Sequence, residues 1–154
     1  MKVFSSGINV SDDDRELLPE NDELQGSETV LVVEDEPVIR NLIATTLRQF
    51  GYQLIVAEDG EAAIELASKY GAPIHLVIAD VRMPRMNGVE LVTALRRWFP
   101  SIGVLLMSGY RDETNAAMGV EGLQIYFIAK PFTMRALAAA TRSAIEWRPN
   151  HQPG

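Results

Sequence analysis

Apolar residues in this chain fall into short continuous runs separated by stretches of helical spacing. The runs occupy 29–33 (TVLVV), 53–57, 74–79, 102–107 and 125–129, each of strand length. Runs without apolar–polar alternation mark strands buried on both faces, and so a parallel sheet with helices on either side. Pro37 opens the first helix, whose buried stripe reads Ile39, Leu42, Ile43 and Leu47, and Gly51 closes it. Asp59 caps a second helix carrying Ile64 and Leu66 that Gly71 and Pro73 stop. Asn87 and Glu90 form a capping-box pattern ahead of Leu91, Val92 and Leu95, and Pro100 ends that third helix. A glycine-flanked stretch near 112–118 predicts only a short fourth helix. A last helix runs from Thr133 to about Trp147, with Pro149 beyond it. Five such strand–helix units predict an α/β domain, a doubly wound five-stranded parallel sheet.

With 154 residues, 47% of them hydrophobic, the chain can bury one substantial core. It has no cysteine, which excludes disulfides, thiolate metal sites and cysteine nucleophiles. No apolar run is long enough to span a bilayer and the N-terminus lacks a signal-peptide plan, so the expectation is a cytoplasmic protein without membrane insertion. Charge is unevenly spread: residues 1–28 hold eight acidic and two basic residues, the remainder thirteen acidic and twelve basic. Residues 1–28 therefore read as an acidic disordered tail or linker, 29–147 as the folded domain and 148–154 as a C-terminal tail. The nearly neutral folded part has no basic patch, which argues against a nucleic-acid partner.

In a doubly wound sheet the site lies beyond the carboxyl ends of the strands. Glu34 and Asp35 follow the first strand, Asp80 the third, Ser108 the fourth and Lys130 the fifth. Crowded carboxylates repel and are tolerated chiefly around a cation, and oxygen-only donors on a partly hydrated site favour Mg²⁺. With Lys130 opposite, such a site can neutralise a phosphoryl group in transfer, with Asp80 as nucleophile. Singly, each residue has a structural reading: charge at a helix start for Glu34 and Glu36, a loop cap for Asp80, a turn for Ser108, a solvated side chain for Lys130. Their joint occurrence at strand ends argues for one site. His75, at the opposite end of the sheet, reads as a packing or edge residue, Arg96 and Arg97 as a charged helix end, and Trp98, Phe99 and Trp147 as packing groups.

The strings VLVVEDEP (30–37), VIADVRMPRMNG (77–88), LLMSGY (105–110) and FIAKPF (127–132) resemble those of response regulator receiver domains in two-component signalling. Separations of 45, 28 and 22 residues between Asp35, Asp80, Ser108 and Lys130 carry the resemblance. It implies a (βα)5 flavodoxin-like fold with strand order 2-1-3-4-5. It further implies a switch in which a sensor histidine kinase or histidine phosphotransfer protein passes a phosphoryl group from phosphohistidine to Asp80. Asp35 and Asp80 would be direct Mg²⁺ ligands, Glu34 a partner through water, and the Arg82 backbone carbonyl a further ligand. Ser108 and Lys130 would bind the phosphoryl oxygens. Ser108 would move toward the acyl phosphate and let Phe127, at the aromatic switch position, turn inward. That would alter the face of the fourth helix, fifth strand and fifth helix, through which a homodimer could form. The family members are not enzymes acting on separate substrates; they catalyse their own phosphoryl transfer and autodephosphorylation. Glu34 stands where aspartate is more frequent. Arg82 and Tyr110, both large and two residues past Asp80 and Ser108, predict a long-lived phosphorylated state.

A pseudo-receiver scaffold would have lost Asp80, Asp35 or Lys130, and none is lost. A haloacid-dehalogenase-type phosphatase would want an aspartate at position 82, where arginine stands, and a flavodoxin a hydroxyl- and glycine-rich loop in place of EDEP. Seven residues after Trp147 leave no room for an output domain, so the expectation is a single-domain regulator or the receiver of a hybrid histidine kinase. The acidic stretch before Thr29 resembles the linkers that precede such receivers.

Overall fold

A computed structural model describes residues 3–4, 21–109 and 125–147. In chain order its elements are β1 (Val3–Phe4), α1 (Asn21–Leu24), β2 (Thr29–Val33), α2 (Pro37–Gln49), β3 (Gln53–Ala57), α3 (Gly60–Lys69), β4 (Leu76–Asp80), α4 (Gly88–Leu95), β5 (Gly103–Ser108), β6 (Ile125–Ala129) and α5 (Met134–Glu146). The strands of the five predicted units form one parallel sheet in the order β3-β2-β4-β5-β6, the flavodoxin-like order 2-1-3-4-5. The predicted fourth helix lies outside the described residues, as do Tyr110 and His151. No helix among the described residues is long and apolar enough to cross a membrane.

The helix starts follow local chemistry. Pro37 occupies the first turn of α2. The Asp59 side chain accepts from Ala62 N at 2.8 Å at the start of α3, and Thr133 from Ala136 N at 3.0 Å at the start of α5. Asn87 and Glu90 close the predicted capping box, with bonds of 2.8 and 3.1 Å. Gly51 takes φ +100° after α2, a conformation that suits glycine, and its Cα faces the Gly26 carbonyl with no room for a side chain.

β2, β4 and β5 are buried along their whole length, as continuous apolar runs require. Alternate residues feed two cores. Leu31, Val33, Val77, Ala79, Leu106 and Phe127 pack with α3 and α4, whereas Val30, Val32, Ile78, Leu105, Met107 and Ile128 pack with α2 and α5. Leu42 does not belong to the buried stripe of α2. It is exposed, and Thr46 takes an interior place instead, its hydroxyl donating to the Leu42 carbonyl at 2.7 Å. The stripe follows the i, i+4 row Ile39–Ile43–Leu47, which leaves Leu42 on the flank. Leu66 and Trp98 are also exposed, so Trp98 is not the packing group its bulk suggested, whereas Phe99 and Trp147 do pack against the two cores. His75 has the structural role expected of it, its Nδ1 accepting from Thr29 N at 3.0 Å.

The stretch read as a tail contains structure. Val3–Phe4 adds a sixth strand beside β6, Val3 opposite Phe127 and Phe4 opposite Ile128. An edge strand offers unpaired N–H and C=O groups, which this segment meets. Nearer the domain, Gly26 N donates to the Phe50 carbonyl and Gln53 N to the Glu28 carbonyl. Arg142 of α5 grips the Glu28 carboxylate with two bonds of 2.7 and 3.0 Å and donates to the Tyr52 hydroxyl at 3.0 Å. A hydrogen bond between residues 114 apart leaves no local pattern to read.

Candidate functional site

Parallel register brings the strand ends to one edge. Val33 stands opposite Ala79, Asp80 opposite Met107 and Ser108 opposite Ala129. Glu34 and Asp35 leave β2, Asp80 and Ser108 are the last residues of β4 and β5, and Lys130 follows β6. Glu34 is fully buried, Asp80 is 7% exposed and Ser108 is buried, whereas Asp35 faces solvent. Carboxylate oxygens of Glu34, Asp35 and Asp80 lie within 4.8 Å of one another. Lys130 Nζ sits 2.6 Å from Asp80 Oδ1 and 2.7 Å from Glu34 Oε1.

The first acidic turn is braced by its own helix. Arg40 Nη1 donates to the Glu34 carbonyl at 2.9 Å, Glu36 N to Glu34 Oε2 at 3.3 Å, and Glu34 N to the Ala57 carbonyl at 3.2 Å. Lys130 N donates to the Ser108 carbonyl at 3.0 Å, which extends the sheet ladder and fixes where the lysine starts. Gly88 lets the start of α4 close over β4: its N donates to the Val81 carbonyl at 2.9 Å, and a Cβ there would collide with the Asp80 carbonyl.

Charge in this cluster is shared unequally. Burial works to raise Glu34, but hydrogen bonds with Asp80, Lys130 and Asp35 outweigh it and hold the group at about 2. Asp80 is pushed up to about 8, first by burial and then by the hydrogen bond shared with Glu34, against the pull of Lys130. Asp35 is raised by its hydrogen bond with Glu34 and by burial. Burial would lower Lys130, yet its bonds to Asp80 and Glu34 raise it. One ammonium thus leaves part of the negative charge of three carboxylates uncompensated. This oxygen-only donor set, with Asp35 open to solvent, fits a hard, partly hydrated divalent cation such as Mg²⁺.

Of the five strand-end residues singled out in the sequence, Glu34, Asp35, Asp80 and Lys130 come together, and Ser108 ends the neighbouring strand at the same edge. Arg82, two residues after Asp80, is exposed. Phe127 is 1% exposed and packed in the core beside α3 and α4. Four contributors were not singled out: Arg40, Gly88, Asp59 and Arg85. Gly88 stands in the quoted string directly after the capping residue Asn87, and a glycine at that helix start was a signal for close approach. Asp59 was read only as a cap, yet its Oδ2 lies 2.7 Å from Arg85 Nη2.

Residues 30–142 match the family model of the response regulator receiver domain. The chain is 34% identical over 124 residues to a sensor kinase, CckA, of Brucella abortus, a match covering 80% of this chain and 13% of that kinase. It is 34% identical over 128 residues to a probable transcriptional regulatory protein of Picosynechococcus, covering 80% of this chain and 51% of the regulator. The chain thus spans about half the length of one relative and far less of the other. A crystal structure of the chemotaxis protein CheY4 of Vibrio cholerae superposes with a TM-score of 0.66 at 28% identity, covering 77% of this chain and 99% of that one.

Proposed function

The chain belongs to the response regulator receiver family of two-component signalling, and we propose that its switch is set by transfer of a phosphoryl group from a phosphohistidine to Asp80. The P–N bond of the donor breaks as a P–O bond to Asp80 forms. The observation that carries this reading is the placement of Lys130 Nζ within 2.7 Å of both Asp80 and Glu34, beside three converging carboxylates. Lys130 is placed to follow the developing negative charge from Asp80 onto the phosphoryl oxygens. Fully buried Glu34 keeps that ammonium aimed across the site. Ser108, at the end of β5, would supply a hydroxyl to a phosphoryl oxygen.

Asp35, Asp80 and the Arg82 carbonyl would hold Mg²⁺, with Glu34 reaching it through water. When bound, the ion neutralises the carboxylates so that a dianionic group can approach. The donors fitting this role are a sensor histidine kinase or a histidine phosphotransfer protein. The output is a change of protein contacts on the face of α5 and β6 and the fourth helix, with Phe127 beneath it, and a homodimer through that face is one such contact. The domain acts on no separate substrate; it catalyses its own phosphorylation and dephosphorylation, in the cytoplasm. Residues 29–147 form the receiver, with 1–28 an acidic linker and 148–154 a terminal tail. The match to a sensor kinase supports a place in a hybrid kinase, and the match to a transcriptional regulator supports a place in a response regulator. Asp80 chemistry is the same in both.

Incubation with acetyl phosphate and Mg²⁺ tests the reading by intact mass. Wild type gains one phosphoryl group, and Asp80→Asn or excess chelator abolishes the gain. Equal gain in wild type and Asp80→Asn overturns it.

A further inference from the structure

The loop between β4 and α4 leaves the phosphoacceptor, carries Arg82, and returns at Gly88. Within it Arg85 adopts φ +68°, a left-handed conformation that a residue with a side chain keeps only when its surroundings hold it there. The holding contact is Asp59. Arg85 Nη2 lies 2.7 Å from Asp59 Oδ2 and Arg85 Nε 4.0 Å from Glu61 Oε1. The other oxygen of Asp59 accepts from Ala62 N at 2.8 Å, so the anchor is itself fixed to the first turn of α3. The next residue, Met86, packs on Gly60 so closely that a Cβ there would meet its sulfur at 2.7 Å. The two ends of the loop are joined by the bond from Gly88 N to the Val81 carbonyl.

We propose that Arg85, clasped to Asp59, is a positioning residue that holds the loop following Asp80 in the form that binds Mg²⁺. The inference rests on the reading of Asp80 as a metal-dependent phosphoacceptor whose loop supplies the Arg82 carbonyl. Arg85 itself touches neither Asp80 nor Lys130; its effect passes through the backbone of residues 82–85. The Arg85 side chain is 64% exposed, and an ion pair this open contributes little to global stability. Loops open locally at much lower cost than whole domains, and there a small contribution decides how often the binding form is populated.

Calorimetric titration of the full chain with Mg²⁺ alone tests the clasp. Asp59→Asn keeps a cap for α3, since asparagine serves as well there, but removes the charge that grips Arg85. Arg85→Gly removes the guanidinium and suits the positive φ, so its folding is not in question. Both variants should bind Mg²⁺ about threefold more weakly, the scale of an exposed ion pair. At saturating Mg²⁺ both should still reach wild-type phosphorylation, and Arg85→Lys should recover wild-type affinity. Salt screens exposed pairs, so the gap between wild type and Asp59→Asn should close at high ionic strength. Unchanged affinity in both variants, or a gap indifferent to salt, overturns the clasp while leaving Asp80 as phosphoacceptor. Wild type that binds no Mg²⁺ overturns both readings together.

Discussion

Lys130 Nζ stands 2.6 Å from an oxygen of Asp80 and 2.7 Å from one of Glu34, so a single ammonium serves both Asp80 and a fully buried carboxylate. It lowers the repulsion between the two acids and supplies part of the positive charge that a divalent cation would also bring. Replacing it separates the two roles. Lys130→Met should slow phosphorylation by acetyl phosphate at least tenfold, about 1.4 kcal/mol in barrier, because no cation then follows the charge onto the phosphoryl oxygens. Mg²⁺ affinity, read by calorimetry, should not fall, since a competing cation has been removed.

Gly88→Ala places a methyl group against the Asp80 carbonyl, where the backbones of α4 and β4 already touch. The strain of such overpacking is about 1–3 kcal/mol, to be seen as a lower urea midpoint. The displaced carbonyl also shifts the Asp80 carboxylate, so phosphorylation should slow even where the variant is fully folded.

The Glu28–Arg142 pair gives stability a pH dependence of known sign. Arg142 holds Glu28 at about 2, below its ordinary 4.5. A depressed carboxylate stabilises the fold in full above 4.5 and loses that contribution as pH falls from 4.5 through 2. The pair is partly exposed, so about 2 kcal/mol is an upper figure after solvent screening. Urea unfolding at pH 7 and pH 3 should show a larger acid loss in wild type than in Arg142→Met.

Much of this was legible in the chain because the relevant signals are local. Continuous apolar runs announced the covered parallel sheet, Asn87 and Glu90 the start of α4, and the residues after each run the site. What escaped is long-range or depends on side-chain direction. Asp59 shows as a cap from its place before a helix, but its grip on Arg85, 26 residues on, is set by tertiary approach. The Glu28–Arg142 pair spans most of the domain, and Val3–Phe4 pairs with β6 through backbone groups that any two residues could offer. Leu42 read as core because it is apolar at i+3 from Ile39, but the buried row is Ile39–Ile43–Leu47; Thr46, at i+3 from Ile43, is buried beside it while Leu42, one turn earlier, is exposed.

Arg82 is exposed two residues beyond Asp80; on the proposed function its guanidinium would pair with phosphoryl oxygens while offering attacking water no base. Arg82→Asn should shorten the phosphorylated lifetime at fixed Mg²⁺ by up to about tenfold, or 1.4 kcal/mol, followed as loss of acyl phosphate after the donor is removed. An Arg82→Lys variant should retain most of the lifetime.

The most direct test of Asp80 as the metal-dependent phosphoacceptor is chemical trapping of the acyl phosphate. Borohydride reduces an aspartyl phosphate to homoserine, and peptide mass spectrometry then locates it. After treatment with acetyl phosphate and Mg²⁺, homoserine should appear at position 80 and nowhere else, and should be absent when chelator replaces the metal. Homoserine at another aspartate, none at all, or the same yield at position 80 without a divalent ion would contradict the account.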